Sequence, residues 1–209
     1  MVKRSSFVAL LLLASACGAD ADAPPPQTGV AENCSTPVGA CALQTCAPDR
    51  LEARHVTACS QIVWPTNPPT SGQHYPIWAA FKDYGKPVPR GFWLHSAEHS
   101  AIVLAYNCAH AVGACTDLVA KLTSFAAGYA ADPLCDTTVG NRIIVTPDPL
   151  LDVAFAAVAW GHSLKGSCFE SAPVKAFADL HYGKNYENFC SDGVDPTDPA
   201  SGFAADCGL

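Results

Sequence analysis

His95 and His99 bracket a glutamate in His95-Ser96-Ala97-Glu98-His99, and His74 sits in Pro69-Thr70-Ser71-Gly72-Gln73-His74-Tyr75-Pro76. Neutral imidazoles are ligands for zinc, copper, iron or nickel. The spelling H-x-x-E-H is that of the inverted zinc peptidases, where a helix sets two histidines one turn apart beside a basic glutamate. The flanks here argue for another conformation. Gly91-Phe92-Trp93-Leu94 precedes the motif and an apolar, β-like run follows it, so the segment reads as a strand or the lead-in to one. On a strand, positions 95, 97 and 99 share a face and Glu98 takes the other; the rise of ~3.3 Å per residue sets the two imidazoles about 7 Å apart. That spacing permits a shared ion if the side chains converge. His74, on a proline-stiffened loop, is the natural third ligand, and Glu98 would orient a ring from outside the ligand shell. His162, just after Trp160-Gly161, is a possible fourth. The plainer role is structural: histidines at strand ends bond backbone or carboxylate, and Glu98 would pair with His95, His99 or Arg90.

Other chemistries find less support. Ser71, Ser96, Ser100 and Ser163 lie near histidines in sequence, but no G-x-S-x-G and no glycine-rich phosphate loop is present. Met1 is the only methionine, which excludes a thioether-rich copper(I) site. Zinc and copper are therefore the leading cofactor expectations. Trp64, Trp78, Trp93 and Trp160 read as core or pocket wall.

The elements that must position these residues begin with a short apolar strand over residues 60–64, followed by a loop over 65–76 that four prolines and a glycine keep irregular. Residues 101–106 and 142–146 read as strands, and 153–160 as another. Residues 116–130 read as a helix, because Leu118, Val119, Leu122, Phe125 and Ala126 recur at helical spacing. A second main helix covers 171–182, with Pro173 in its first turn where proline is tolerated. Strands and helices interleave without strict alternation. The fold class expected is α+β, a single domain with a mostly antiparallel sheet and two main helices on one face, disulfide-stapled and preceded by a disordered tether.

The stretch Pro68 to Tyr75, then His95 to His99 before an apolar strand, then Ala159-Trp160-Gly161 ahead of an amphipathic helix, resembles a bacterial family of unknown function, DUF3105. The resemblance covers roughly residues 60–185. The family usually carries glycine after the second histidine, where this chain has Ser100. It implies no established activity.

The N-terminus reads as an export signal over residues 1–16: Lys3 and Arg4, then a ten-residue apolar run from Phe7 to Ala16, too short for a membrane span of about 20. Cys17-Gly18 falls where a lipobox places its lipidated cysteine, although Ala14 stands where Leu or Val is usual; cleavage at Ala14-x-Ala16 or near Ala23 is the alternative. A lipid at Cys17 would be the sole membrane contact. Residues 17–33, with three consecutive prolines, form the tether, and residues 34–59 a cysteine-rich staple over the 60–209 domain. Beyond Cys17 lie ten cysteines, enough for five bridges whose pairing stays open. Removing the signal takes two positive charges from a net −7, leaving about −9 with no basic run, which excludes a nucleic-acid partner. Two functions remain: a metal-binding surface protein with ligands at His74, His95 and His99, or a metal-free envelope module that binds a protein or glycan partner.

Overall fold

The computed structural model of the chain describes residues 30–136, 138–185, 187–203 and 207. The signal, Cys17 and most of the tether fall on residues 1–29, outside the described residues. The chain runs β1 (Gln44–Cys46), β2 (Arg54–His55), β3 (Gln73–His74), α1 (Arg90–Glu98), β4 (Ile102–Tyr106), α2 (Cys115–Gly128), β5 (Ile143–Pro147), β6 (Phe155–Ala159), β7 (His162–Gly166) and α3 (Ser171–His181).

Five strands form one sheet in the order β1-β7-β6-β4-β5. Only β4 and β5 pair in parallel, with α2 as their crossover; the other three pairings are antiparallel. This is the expected α+β fold with a mostly antiparallel sheet. Side chains alternate across it, as the pleat requires. Ile102, Leu104, Ile143, Val145, Phe155 and Ala157 meet α2 and α3 through Leu118, Leu122, Val174 and Phe177. Val103, Ala105, Ile144, Ala156 and Val158 face the other way, onto Phe92, Trp93, Leu94 and Ala97 of α1. The central strands are therefore buried on both faces, which is why their apolar runs are nearly continuous.

The two expected helices, α2 and α3, share one face of the sheet, and a third, α1, covers the opposite face. Two expectations need correction. Residues 60–64 form no strand; Ile62 and Trp64 pack against the second core, and the Tyr75 hydroxyl donates to the Ser60 carbonyl at 2.9 Å. Residues 90–98, read as leading into a strand, are the helix α1. Every residue of α1 after Arg90 is buried. A helix buried all round shows no amphipathic stripe, so its sequence carries no helical period to detect.

All ten cysteines from Cys34 onward are bridged: Cys34–Cys46, Cys41–Cys168, Cys59–Cys207, Cys108–Cys115 and Cys135–Cys190. Such a framework belongs to an oxidising, extracytoplasmic setting. No helix among the described residues is long and apolar enough to cross a membrane.

Candidate metal centre

Three short pieces of backbone build the site. The first is β3, at the end of the proline-rich loop. That loop is tied down by hydrogen bonds. Leu51 N–H donates to Ser71 Oγ at 3.0 Å, Gly161 N–H to the Thr70 carbonyl at 2.6 Å, and Trp64 Nε1 to the Gln73 carbonyl at 2.9 Å. The second is β2, which pairs in parallel with β3 and sets His55 directly beside His74. The third is α1, where positions 95, 98 and 99 fall on one face through the i, i+3, i+4 relation.

Close packing fixes the height of α1 against β3. A Cβ at Gly91 would stand 2.6 Å from the Tyr75 ring, so only glycine lets the helix come this near. The Gly91 carbonyl accepts from Tyr75 N–H at 3.1 Å. At its far end α1 stops in a Schellman turn: Ala101 N–H donates to the Ser96 carbonyl at 3.2 Å and Ser100 N–H to the Ala97 carbonyl at 3.0 Å. Ser100 takes the left-handed conformation this turn demands, φ 68°, where glycine is the unstrained residue. Its hydroxyl compensates locally, accepting from Asn185 N–H at 3.0 Å and donating to the Glu187 carbonyl at 3.2 Å. Buried Arg142, paired with Asp132 at 2.7 Å, donates to the His99 carbonyl at 2.9 Å.

The result is a triangle of imidazoles. The rings of His55, His74 and His95 stand 4.8 Å apart, centroid to centroid, on every side. Glu98 joins them, with Oε2 at 2.9 Å from His74 Nε2 and 3.9 Å from His95 Nε2. One ligand atom from each of these four residues lies within 4.8 Å of the others. Donors sharing an ion stand about 3–3.5 Å apart when each bond is near 2.0–2.1 Å, so small side-chain rotations close the set. His74 and His95 are almost wholly buried, as is Glu98, while His55 is exposed. Three of the four candidate ligands are thus held in the interior and one at the solvent side.

Ring orientation favours coordination. His74 Nδ1 contacts the Gly72 carbonyl at 2.8 Å, and His95 Nδ1 the Tyr75 carbonyl at 2.7 Å. A carbonyl only accepts, so both Nδ1 atoms carry protons and both rings turn Nε2 toward the cluster. This carbonyl–histidine pairing is the support that orients metal ligands. Burial, then the neighbouring His74, push His95 down to about 4, which keeps its lone pair free at neutral pH. His74 Nε2 makes no hydrogen bond although the Glu98 oxygen is only 2.9 Å away.

The remaining histidines go elsewhere. His99 turns to Glu187, with Nε2 and Oε2 3.1 Å apart, and packs between Trp78 at 4.6 Å and Phe189 at 4.1 Å. Burial, then His95, hold it at about 3. His95, His99 and Glu187 form a second compact ligand group. His95 offers only one free nitrogen, so the two groups compete for it. His162 belongs to neither group; it stacks on His181 at 4.2 Å beside Arg50. The helix that H-x-x-E-H needs is thus present, but its glutamate stands with His55 and His74 rather than beside an ion held by His95 and His99.

Sequence reasoning missed His55 and Glu187. Neither carries a local signal: His55 lies on a two-residue strand, too short for alternation, and Glu187 in an irregular segment after α3.

No curated protein and no solved structure matches this chain. The family model described as protein of unknown function (DUF3105) matches residues 55–193, from His55 through the whole ligand cluster, and the chain belongs to that family.

Proposed function

We propose that this protein binds one first-row transition-metal ion, zinc or copper, through His55, His74, His95 and Glu98, in an exported domain tethered through a lipid at Cys17. The observation that carries the reading is the imidazole triangle with a buried carboxylate 2.9 Å from one corner and both interior Nδ1 atoms tied to carbonyls. A buried imidazole nitrogen needs a polar partner, which His74 Nε2 lacks and a cation would supply. Zinc suits a mixed imidazole–carboxylate set, and copper(II) is bound more tightly by the same donors. His55, the exposed corner, supplies the route by which an ion reaches the buried three.

Metal analysis of the mature protein, loaded with zinc or copper and desalted, tests this. One equivalent is expected, because His95 cannot serve both ligand groups. His95→Ala should abolish binding, and His55→Ala should weaken it while the fold stays intact. Less than a tenth of an equivalent of either metal would remove the proposal and leave the metal-free envelope module. Two equivalents would show that the His99–Glu187 group fills independently.

A further inference from the structure

A second polar cavity, of about 200 Å³, lies behind the C-terminal end of α1, and Trp160 separates it from the histidine triangle. Arg50, His162, His181 and Lys184 line it, with Ser100 and Asn185. No carboxylate lines it among the described residues. In a chain of net charge −7 this concentration of basic groups is against the composition.

The acids nearest in the chain are engaged elsewhere. Asp49 accepts from Asn33 Nδ2, Asp179 from Lys175 and Tyr129, and Glu187 faces His99. Neither Arg50 nor Lys184 makes an ion pair among the described residues.

The basic groups are positioned by the fold. Gly161 turns the β6–β7 hairpin at φ 79°, and Arg50 lies across it so closely that a Cβ there would collide with Arg50 Nε. Arg50 Nη2 stands 3.5 Å from His162 Nε2, a long contact. A guanidinium has no acceptor, so this nitrogen receives and the other ring nitrogen of His162 keeps its proton as a donor. His162 and His181 stack at 4.2 Å with their planes 26° apart. Burial and then Arg50 lower His162, and burial, His162 and Arg50 lower His181 to about 4. Positive charge is in excess here.

We propose that this cavity is an oxyanion site of the phosphate class, with Arg50 and Lys184 supplying charge and His162 and His181 supplying ring N–H donors. Its donors come from four directions: the segment before β2, the start of β7, the end of α3 and the segment after it. A planar carboxylate is matched by a single guanidinium fork, whereas a tetrahedral ion presents oxygens to all four. The site is independent of the metal reading, since none of its side chains belongs to either metal-ligand group.

Calorimetric titration of the full disulfide-bonded, metal-free protein with inorganic phosphate at low salt tests it. Saturable one-site binding is expected, weakened at least about tenfold, or 1.4 kcal/mol, by Arg50→Gln. Lys184→Gln should weaken it in the same direction. Both basic side chains are exposed, so their replacement spares the core. Absence of saturation by about 10 mM phosphate, a concentration that would reveal even millimolar affinity, overturns the proposal. So does unaltered affinity in Arg50→Gln.

Discussion

The carboxylate of Glu98 and the imidazole of His74 face each other in the interior at 2.9 Å, Oε2 to Nε2, without a hydrogen bond between them. The other ring nitrogen of His74, Nδ1, donates to the Gly72 carbonyl. An anionic oxygen and a bare lone pair at this distance repel unless a cation lies between them or the ring takes a second proton. Glu98→Gln keeps the shape and removes the charge. Metal affinity should fall about 10–100-fold, measured by competition with a chromophoric chelator. Affinity equal to that of the parent chain would take Glu98 out of the ligand set.

Acid should destabilise the metal-free protein in a defined window. Buried His95 and His99 titrate near about 4 and about 3, against a usual value of 6.5 for imidazole. As pH falls below 6.5 the unfolded chain takes up protons that the folded chain refuses. Stability is therefore full above that pH and lost progressively down to about 3–4. Urea midpoints at several pH values should trace the loss, and bound metal should shift it to lower pH. A midpoint constant between pH 6.5 and 4 would contradict the burial of these rings.

Ser100 poses a choice between backbone comfort and side-chain bonding. Ser100→Ala keeps φ at 68° and loses both hydroxyl bonds, so it should cost about 1–3 kcal/mol. Ser100→Gly loses the same bonds but relieves the left-handed backbone, an advantage over alanine of roughly 1 kcal/mol. Thermal denaturation of the two variants compares them directly. Alanine as stable as glycine would mean that residue 100 bears no backbone strain.

The bridges should differ in value according to the loops they close. Cys41–Cys168 spans 127 residues and Cys108–Cys115 only 7. Chain entropy makes the longer closure worth about 2–3 kcal/mol more. Replacing each pair by alanine and comparing urea midpoints measures the difference. Equal losses would mean that local packing, not chain closure, governs these bridges.

Much of the scaffold was readable because it is locally encoded. The period of Leu118, Leu122 and Ala126 marked α2, and Val174 and Phe177 marked α3. The short apolar runs bounded by proline, glycine or polar residues marked β4, β5 and β6. The even count of cysteines beyond Cys17 announced five bridges. His74, His95 and Glu98 were picked out by motif spelling, and the structure brings these three together. What failed were segments whose conformation answers to distant partners. Nine-residue α1 is enclosed on all sides, and Phe92-Trp93-Leu94 within it spells a strand as readily as a helix.

The sequence by itself determined the ten cysteines available for bridging, the α+β class and which side chains could bind a metal, since each of these follows from residue type or from a segment's own period. Tertiary structure alone decided that His55 completes the triangle, that His99 leaves it for Glu187, and that His162 joins a basic cavity instead. Periodicity records which face a segment buries, not which other segment it is buried against. The pairing of β2 with β3 and the docking of α1 through Gly91 are contacts across 16 or more residues, and only the packed chain specifies them.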